Sequence, residues 1–533
     1  MSEQPQSISE RLLQASQSAS QKSGSKPVSG GRIEDALAGA IQPRKLIDNF
    51  AEAWRVSESE ALKLLEAHGF GGILSRLAPT EAAAGDEATR PPLCEKETVS
   101  IAGGNIRIRA LGPALNEALT APASVLESVE RAIGAFLPGA DKDSLGVLYR
   151  DRPMEYAKRF LANDAPKIDA YVSRHFGSAG PKYFINSGIG ANEQFNYFVS
   201  ALANARPGRR TTWLLANSPK EVAALPADAG VENSLFLEFS RSGITEETVK
   251  LHELSPRIAK RVVFANSGPL KALAERDQNL LLELPSEVSG RYGRNKTPIL
   301  MAPMHVAGMD VQDYWQVIQT ACDHMPLSAA QSLPVMLAQY IRVQQLRRGV
   351  NHIYLGTNDE LLRYSADEFC QFWNEGVNRD GNDITMSRYL GLSRDSHMNL
   401  EAILGTSEHK LAVFLVATRT RRGRLSHPLL QESAEAVVPE HAGLSAEDVD
   451  LILTLANVKR CSEKMPTILV TVDDVNLEAS AWLGQLWADT TLVYSRLIGV
   501  DPGSNPEVKA VRTRASAWLA DRKGAEALLA PSA

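Results

Sequence analysis

The sequence contains little cysteine, and its cysteines are scattered. Cys94, Cys322, Cys370 and Cys461 stand alone among 533 residues, with no CxxC pair and no cysteine–histidine spacing typical of a zinc site. We therefore expect no disulfide framework and no structural zinc ion. Isolated cysteines of this kind favour a reducing, cytoplasmic location.

The sequence also lacks a long apolar run and an excess of positive charge. Its longest apolar stretch, PILMAPMHVAGM at residues 298–309, is shorter than the ~20 residues that a bilayer span requires. The formal net charge is −6, whereas nucleic-acid-binding proteins usually present a basic face. The N-terminus has no apolar core of a secretory signal. We therefore expect no membrane span and no nucleic-acid partner.

The composition that remains is typical of a globular protein, with 44% hydrophobic and 23% charged residues. Residues 1–33 are rich in serine, glutamine and glycine and predict a disordered tail. Residues 34–78 have a helical period and predict a small helical segment, either a docking module or a packing appendage. Proline, glycine and acidic residues at 79–98 predict a linker.

Short apolar runs then alternate with stretches of helical period. The runs are KYFINSG (182–188), TTWLLAN (211–217), SLFLEFS (234–240), RVVFANS (261–267), LLLELP (280–285), HIYLGTN (352–358), KLAVFLVAT (410–418) and TILVTVDD (467–474). This alternation predicts an α/β fold of doubly wound parallel sheets with helices on both faces. A long helical break divides the pattern into two domains, at 140–310 and 330–500, and a helical tail follows at 501–533.

Two of the predicted strands end in polar residues immediately before a predicted helix. One end carries Ser240, Arg241, Ser242, Gly243 and Thr245, and the other is SGIGAN at 187–192. The free N–H groups of a helix N-terminus, with hydroxyls and a glycine beside them, suit a phosphate. The same residues would also make an ordinary capped helix with nothing bound. Two such ends on neighbouring strands would favour binding of one small ligand.

Five short motifs make the sequence similar to the glucose-6-phosphate isomerase family, which is built from two sugar-isomerase (SIS) domains. They are GIGAN (188–192), SRSGITEET (240–248), SGRYG (289–293), QFWNE (371–375) and DSHMN (395–399). They occur in one consistent order, and the similarity extends from about residue 180 to 515. It implies a sugar-phosphate substrate, no cofactor, and a homodimer in which the partner subunit completes the active site.

The resemblance implies roles for individual residues. Substrate-binding roles fall to Gly190, Asn192, Ser240, Arg241, Ser242, Thr245 and Gln371. Catalytic roles fall to Glu375, Arg291 and His397, together with Lys509 or Arg512 near the C-terminus. No residue is assigned to a metal.

These residue types suit the chemistry of aldose–ketose isomerisation. The reaction removes a proton next to a carbonyl and returns it to the neighbouring carbon, and one carboxylate such as Glu375 can do both through an enediol. Gln371 lies four residues before Glu375, so the two share one helix face. Arg291 could stabilise the enediolate oxygen, and His397 could protonate the ring oxygen during ring opening.

The sequence departs from the family pattern at three positions. Asn192 replaces a serine, and Arg241 replaces a lysine. Arg512 stands where the family has a lysine that helps to open the sugar ring, and Lys509 lies one turn earlier. Because arginine is a poor proton donor, either Lys509 has taken the role, ring opening proceeds differently, or the substrate is another sugar.

Several functions therefore stay open at the level of sequence. The leading hypothesis is interconversion of glucose 6-phosphate and fructose 6-phosphate. The altered residues Asn192 and Arg512 also suit an isomerase of another acidic hexose. A non-catalytic sugar-phosphate sensor is a third alternative, because SIS domains also occur in regulators. A nucleotide-dependent dehydrogenase is disfavoured, since the GIG sequence lacks the full GxGxxG spacing.

Overall fold

The computed structural model describes residues 97–101, 104–111, 150, 153–189, 191–204, 211–285, 297–329, 332–378, 382–388, 400–405, 407–418, 444–503 and 506–529. The predicted tail at 1–33, the predicted helical segment at 34–78 and most of the predicted linker at 79–98 lie outside these residues. Within the described part of the chain, no helix is long and apolar enough to cross a bilayer.

Strands and helices alternate along most of the described chain. The strands are β1 Glu97–Ile101, β2 Gly104–Leu111, β3 Tyr183–Ser187, β4 Thr212–Leu215, β5 Ser234–Phe239, β6 Lys260–Phe264, β7 Leu280–Leu282, β8 His352–Thr357, β9 Thr385–Arg388, β10 Lys410–Ala417 and β11 Thr467–Val472. The α-helices are α1 Pro153–Asn163, α2 Ala165–Phe176, α3 Ala191–Asn204, α4 Pro219–Ala223, α5 Glu246–Leu254, α6 Gly268–Arg276, α7 Pro298–Val306, α8 Val311–His324, α9 Leu333–Arg348, α10 Glu360–Val377, α11 Ala446–Ser462, α12 Leu477–Leu497, α13 Pro506–Ala520 and α14 Lys523–Leu529. Two 3₁₀ helices are Gly177–Ala179 and Ser407–His409.

The first sheet is parallel throughout and has the strand order β4-β3-β5-β6-β7. Its central strands β3 and β5 are buried along their whole length. Continuous apolar strands of this kind are typical of a sheet that helices cover on both faces. The predicted doubly wound α/β fold is confirmed in this half of the chain.

The second sheet has the order β1-β2-β11-β10-β8-β9. The strands β8, β9, β10 and β11 are parallel, as predicted. At the β11 edge, however, an antiparallel pair formed by β1 and β2 continues the sheet. Arg107 of β2 makes two hydrogen bonds, 2.8 and 2.9 Å long, to the carboxylate of Asp473 beyond β11.

The strand pair β1–β2 corrects the prediction of an entirely parallel second sheet. Strand β1 begins at Glu97, so the last two residues of the predicted linker belong to a strand. The sequence of β2, GNIRIRAL, alternates apolar and polar residues. Ile106 and Ile108 are buried while Arg109 is exposed, which is the period-two pattern of a half-buried strand. The domain boundaries otherwise stay predictions.

Helix α12 lies at the centre of the core and is buried on all sides over most of its length. It packs against α8, α9 and α10. Among its buried polar residues, Asp489 has partners, since it pairs with Arg150 and with Gln485. Trp487 of α12 stacks on Phe369 of α10 at 4.3 Å between ring centroids, and Tyr494 contacts Trp373 at 4.6 Å. Helix α10 is therefore held by large aromatic contacts to the centre of the molecule.

A buried ionic network crosses one face of the first sheet. Glu238 of β5 accepts a hydrogen bond from the Arg261 guanidinium at 3.1 Å, and its other oxygen lies 2.6 Å from His252. The second ring nitrogen of His252 lies 3.3 Å from Asp277, which also receives two hydrogen bonds from Arg276. Each buried charge thus has a partner, as burial requires.

Candidate active site

The two polar strand ends identified in the sequence lie side by side. Strands β3 and β5 are paired in parallel, with Ser187 opposite Glu238. The chain leaves β3 towards β4 on one side and leaves β5 towards β6 on the other. In open α/β sheets, ligands bind at such a switch point, beyond the carboxyl ends of the strands. The expected neighbourhood of the two ends is confirmed.

The loop after β5 is a compact turn stabilised by its own hydroxyls. The oxygens of the Ser240 and Thr245 side chains lie 2.8 Å apart, and Gly243 N–H donates to the Ser240 carbonyl at 2.8 Å. Thr245 occupies the N-cap position of α5, as predicted, but its hydroxyl makes no capping bond because it is paired with Ser240. Thr245 therefore does not cap the first N–H groups of α5, which leaves a dipole end suited to an anion.

Gly243 can have no side chain in this loop. Its φ is 65°, and an added Cβ would lie 1.8 Å from the Ser267 carbonyl oxygen. Gly268 has a φ of 76°, and its Cβ would lie 2.6 Å from the Ser242 carbonyl oxygen. Only glycine fits such positions without cost. The turn is therefore packed backbone to backbone against the start of α6 and is rigid before any ligand binds.

Arg241 and Ser242 lie in the same turn. The Arg241 carbonyl accepts from Asn266 N–H at 3.0 Å, and the Ser242 carbonyl accepts from the Ser267 hydroxyl at 3.1 Å. In Arg241 and Ser242 these bonds use backbone atoms only. Arg241 is half-buried and Ser242 is exposed.

Several buried polar atoms around this crevice have no hydrogen-bond partner in the described part of the chain. They are Asn186 Oδ1, Ser187 Oγ, both amide atoms of Asn196 and Thr248 Oγ1. A buried polar atom without a partner costs ~1–3 kcal/mol and calls for a water or a ligand group. Ser187 and Thr248 lie in the motifs named from the sequence, whereas sequence reasoning missed Asn186, which precedes Ser187, and Asn196, which lies one turn after Asn192.

The pair Gln371 and Glu375 lies in the last turns of α10. Gln371 donates through Nε2 to Glu375 Oε1 at 2.9 Å, so their predicted common face is confirmed. The other amide atom of Gln371, Oε1, is buried and has no partner among the described residues. Trp373 donates to the Ile384 carbonyl at 2.9 Å, which fixes this end of the helix. The half-buried Glu375 carboxylate is therefore attached to a rigid support.

Helices α3 and α10 pack against each other. Tyr197, in the second turn of α3, stacks on Tyr364 with 5.4 Å between centroids and an angle of 2° between rings. Glu193, one turn earlier in α3, interacts electrostatically with Asp367, one turn later in α10. Each further turn advances about 5.4 Å along a helix. The start of α3 therefore lies towards the last turns of α10, which carry Gln371 and Glu375.

The electrostatics of the α3–α10 contact reflect its burial. Burial raises the pKa of the Glu193 carboxyl, and the neighbouring carboxylates of Glu221 and Asp367 add to the shift. Burial also raises the pKa of the Tyr197 hydroxyl to about 12. The contact between the two domains therefore contains a partly buried acid close to the crevice.

The C-terminal helix α13 approaches the turn after β5. Ser516 donates to Glu246, the first residue of α5, at 3.3 Å. Lys509 and Arg512 precede Ser516 by two turns and one turn, so all three lie on one helix face. Both cations are exposed. Which of the two takes part in the chemistry stays a prediction.

Four predicted residues cannot be located fully. Gly190, Arg291 and His397 lie outside the described residues, and Asn192 lies in the first turn of α3 with its side chain outside the description. Their roles stay predictions. Within the ranges given above, no group of three or more histidine, cysteine or acidic residues is arranged to hold a metal ion.

Comparison with known proteins identifies relatives at low identity. No protein-family model matches the chain. A glucose-6-phosphate isomerase from Methanocaldococcus jannaschii is 21% identical over 318 residues, which covers 57% of this chain and 76% of that protein. One from Carboxydothermus hydrogenoformans is 25% identical over 284 residues, covering 48% of this chain and 61% of that protein.

Solved structures show the same fold. A hypothetical protein from Thermus thermophilus aligns over 78% of this chain and 100% of its own, with a TM-score of 0.60 and 20% identity. A glucose-6-phosphate isomerase from Chlamydia trachomatis aligns over 81% of this chain and 92% of its own, with a TM-score of 0.59 and 14% identity. The chain is therefore similar to glucose-6-phosphate isomerases at low identity and has a fold of two SIS-type domains.

Proposed function

We propose that the protein is a cofactor-free aldose–ketose isomerase that interconverts glucose 6-phosphate and fructose 6-phosphate. The substrate phosphate binds at the turn from Ser240 to Thr245, and Glu375 moves the proton between the first two sugar carbons. The observation that carries this proposal is the direction of α3. The start of this helix lies beside the turn and towards the last turns of α10, where Glu375 lies.

The phosphate-binding half of the proposal rests on the turn after β5. The uncapped N-terminus of α5 and the hydroxyls of Ser240, Ser242 and Thr245 provide donors, and the glutamates that follow, Glu246 and Glu247, are exposed. Arg241 adds a guanidinium, which binds phosphate bidentately. A rigid turn needs no ordering when the ligand binds, and this lowers the entropic cost of association.

The catalytic half rests on Glu375 and on residues beyond the described ranges. Gln371 holds one oxygen of Glu375 and so orients the carboxylate for proton abstraction and return. Arg291 stabilises the enediolate oxygen, and His397, contributed by a partner subunit, protonates the ring oxygen. Lys509 or Arg512 assists ring opening from α13. We further propose a homodimer in the cytoplasm.

The experiment is a coupled isomerase assay with purified protein and glucose 6-phosphate. We expect Glu375→Gln to lower kcat by about 10²–10⁴, the usual contribution of a positioned base. Binding of a five-carbon phosphorylated sugar acid, measured by calorimetry, should survive because the turn after β5 is untouched. Glu360→Gln is the matched control, since Glu360 is an exposed acid in the first turn of the same helix and should leave kcat unchanged.

Near-normal turnover in Glu375→Gln would show that another group is the base. A second candidate function, isomerisation of another acidic hexose, is favoured by Asn192 and Arg512 in place of the family's serine and lysine. A faster reaction with such a hexose, alongside no reaction with glucose 6-phosphate, would establish it. Binding of sugar phosphates without isomerisation of any of them would indicate a sensor.

A further inference from the structure

At several places in the two sheets, an asparagine side chain hydrogen-bonds to the backbone of the neighbouring strand or of the residues that follow it. Asn266, after β6, donates to the Leu284 carbonyl at 2.8 Å and accepts from Leu284 N–H at 2.7 Å. Asn358, after β8, makes the same pair of bonds with Ala417 of β10 at 3.1 and 2.8 Å. In each case one amide satisfies both backbone groups of a single residue, much as another strand would.

Asn217, after β4, differs because its two bonds go to two different parts of the chain. Its Oδ1 accepts from Gly188 N–H, at the end of β3, at 2.9 Å. Its Nδ2 donates to the Glu193 carboxylate, in the first turn of α3, also at 2.9 Å. Asn217 is buried, with 6% of its surface exposed. One amide thus holds both sides of the segment between Gly188 and Glu193.

We propose that Asn217 and Glu193 are positioning residues that fix the sugar-facing segment 188–192 relative to the crevice between β3 and β5. We call the two hydrogen bonds from Asn217 to Gly188 and Glu193 the clamp. The inference rests on the proposed function for its consequence in catalysis, but the clamp itself is a feature of the structure. The segment joins β3 to α3, so a change in its position would move every group that the substrate hydroxyls meet there.

The chemistry of the clamp requires one acceptor and one donor on the same side chain. An amide supplies both, whereas an aspartate at position 217 would accept from Gly188 but would face the Glu193 carboxylate with like charge. The bond to Glu193 is charge-assisted and half-buried, conditions that strengthen a hydrogen bond. Tyr197, one turn after Glu193 on the same helix, stacks on Tyr364, which connects the clamp to the helix of Glu375.

The test uses a substitution and its compensating partner. We expect Asn217→Asp to lower kcat/KM for glucose 6-phosphate by about 10- to 100-fold, the factor that loss of one charge-assisted hydrogen bond gives. The double variant Asn217→Asp/Glu193→Gln restores a complementary pair, because a glutamine amide can donate to the new carboxylate. It should recover at least half of the lost kcat/KM on a logarithmic scale. Glu193→Gln alone keeps an acceptor for Asn217 but loses the charge assistance, so it should lower kcat/KM less than Asn217→Asp does.

A matched control separates positioning from general stability. Asn204, the last residue of α3, clasps Trp213 of β4 with bonds of 2.8 and 2.9 Å at the opposite end of the same helix. Asn204→Asp changes the same chemical group away from the crevice. We expect it to lower the unfolding temperature about as much as Asn217→Asp while leaving kcat/KM of the folded protein unchanged.

Amide hydrogen exchange tests the clamp without an enzyme assay. Asn217→Ala should accelerate exchange of the Gly188 amide by roughly tenfold or more, because loss of its acceptor removes a hydrogen bond, and exchange at Val262 in β6 should not change. If the wild-type protein isomerises no sugar phosphate, the proposed function is refuted. The exchange rate at Gly188 would then still show whether the clamp exists. Unchanged exchange at Gly188, kcat/KM within about twofold of wild type in Asn217→Asp, or no recovery in the double variant would each overturn the clamp.

Discussion

Replacement of Gly243 by alanine tests whether the turn after β5 binds the substrate phosphate. The substitution adds a single methyl group in the middle of the turn and removes no hydrogen-bonding group. The new Cβ would lie 1.8 Å from the Ser267 carbonyl oxygen, at a backbone φ of 65°. Both the conformation and the space are therefore unfavourable, and the turn must move away from α6.

The size of the effect follows from these two terms. A left-handed conformation costs a residue with a Cβ roughly 1–2 kcal/mol. Relief of the overlap resembles overpacking of a core site, which typically costs ~1–3 kcal/mol. The native turn is thus disfavoured by about 2–5 kcal/mol. Since ~1.4 kcal/mol corresponds to a factor of ten, the affinity for a phosphate ester should fall by at least about 30-fold.

The measurement is calorimetric binding of a five-carbon phosphorylated sugar acid, together with KM for glucose 6-phosphate. Two other glycines serve as controls, one for the conformational cost and one for the added methyl group alone. Gly499 has a φ of 74° with nothing within 4 Å of its Cβ position, so Gly499→Ala carries the conformational cost alone. In Gly230→Ala, the added Cβ would lie 4.0 Å from Asn233 Oδ1 and would contact nothing else, so this variant carries no overlap. We expect both variants to bind the ligand like wild type.

One result would refute this reasoning. If Gly243→Ala binds the sugar acid within about threefold of wild type while the protein stays folded, the phosphate does not sit on this turn. An equal loss of affinity in Gly499→Ala would instead attribute the effect to global destabilisation, because Gly499 follows α12, at a distance along the chain from the turn.

Two further predictions concern stability. Hydrogen bonds from Arg276, helped by His252, lower the pKa of Asp277 to about 2, below its unfolded value of about 3.9. This carboxylate therefore stabilises the folded protein fully above about pH 4, and its contribution is lost as the pH falls towards about 2. Asp277→Asn should flatten the decline of unfolding temperature across that window, and an unchanged decline would exclude Asp277 as its source. Tyr364→Ala should reduce the free energy of unfolding by at least about 1 kcal/mol, since it removes the stack on Tyr197; Tyr364→Phe keeps the ring and should stay within ~0.5 kcal/mol of wild type in the same denaturant titration.

The parallel strands were largely predictable because their residues carry a strong local signal. Each of the eight apolar runs named from the sequence forms a strand, from β3 to β8 and then β10 and β11. Buried parallel strands are apolar on both faces, so composition alone marks them. Strand β9, Thr385–Arg388, was missed because it is short and only partly buried. Its partner is β8, and no local pattern indicates that contact.

The strand pair β1–β2 was missed for a different reason. Apolar and polar residues alternate in β2. Residues 79–98, however, are rich in proline, glycine and acids, and the linker predicted from this composition includes the first two residues of β1. The pairing of β2 with β11 joins residues far apart in the chain, as the bond between Arg107 and Asp473 illustrates. A pairing over such a distance leaves no trace in either segment by itself.

The site was predictable where chemistry is concentrated in one segment. The turn with Ser240, Gly243 and Thr245 and the pair Gln371–Glu375 each lie within a few residues, and the structure brings each group into contact. Asn217 and Glu193 escaped notice because they lie on separate elements and become partners only through the sheet order. Burial of an asparagine such as Asn196 cannot be predicted from the sequence either, since asparagine is common in exposed loops.

The strands β1 and β2 also determine how the two halves of the molecule depend on each other. Residues 97–111 complete a sheet whose other strands begin at residue 352, so the strands of the first sheet lie along the chain between strands of the second. A polypeptide cut between the domains would leave β11 with one side unpaired, an open edge that invites association with other chains. Evolutionary or experimental separation of the two domains would therefore require a new way to cover β11.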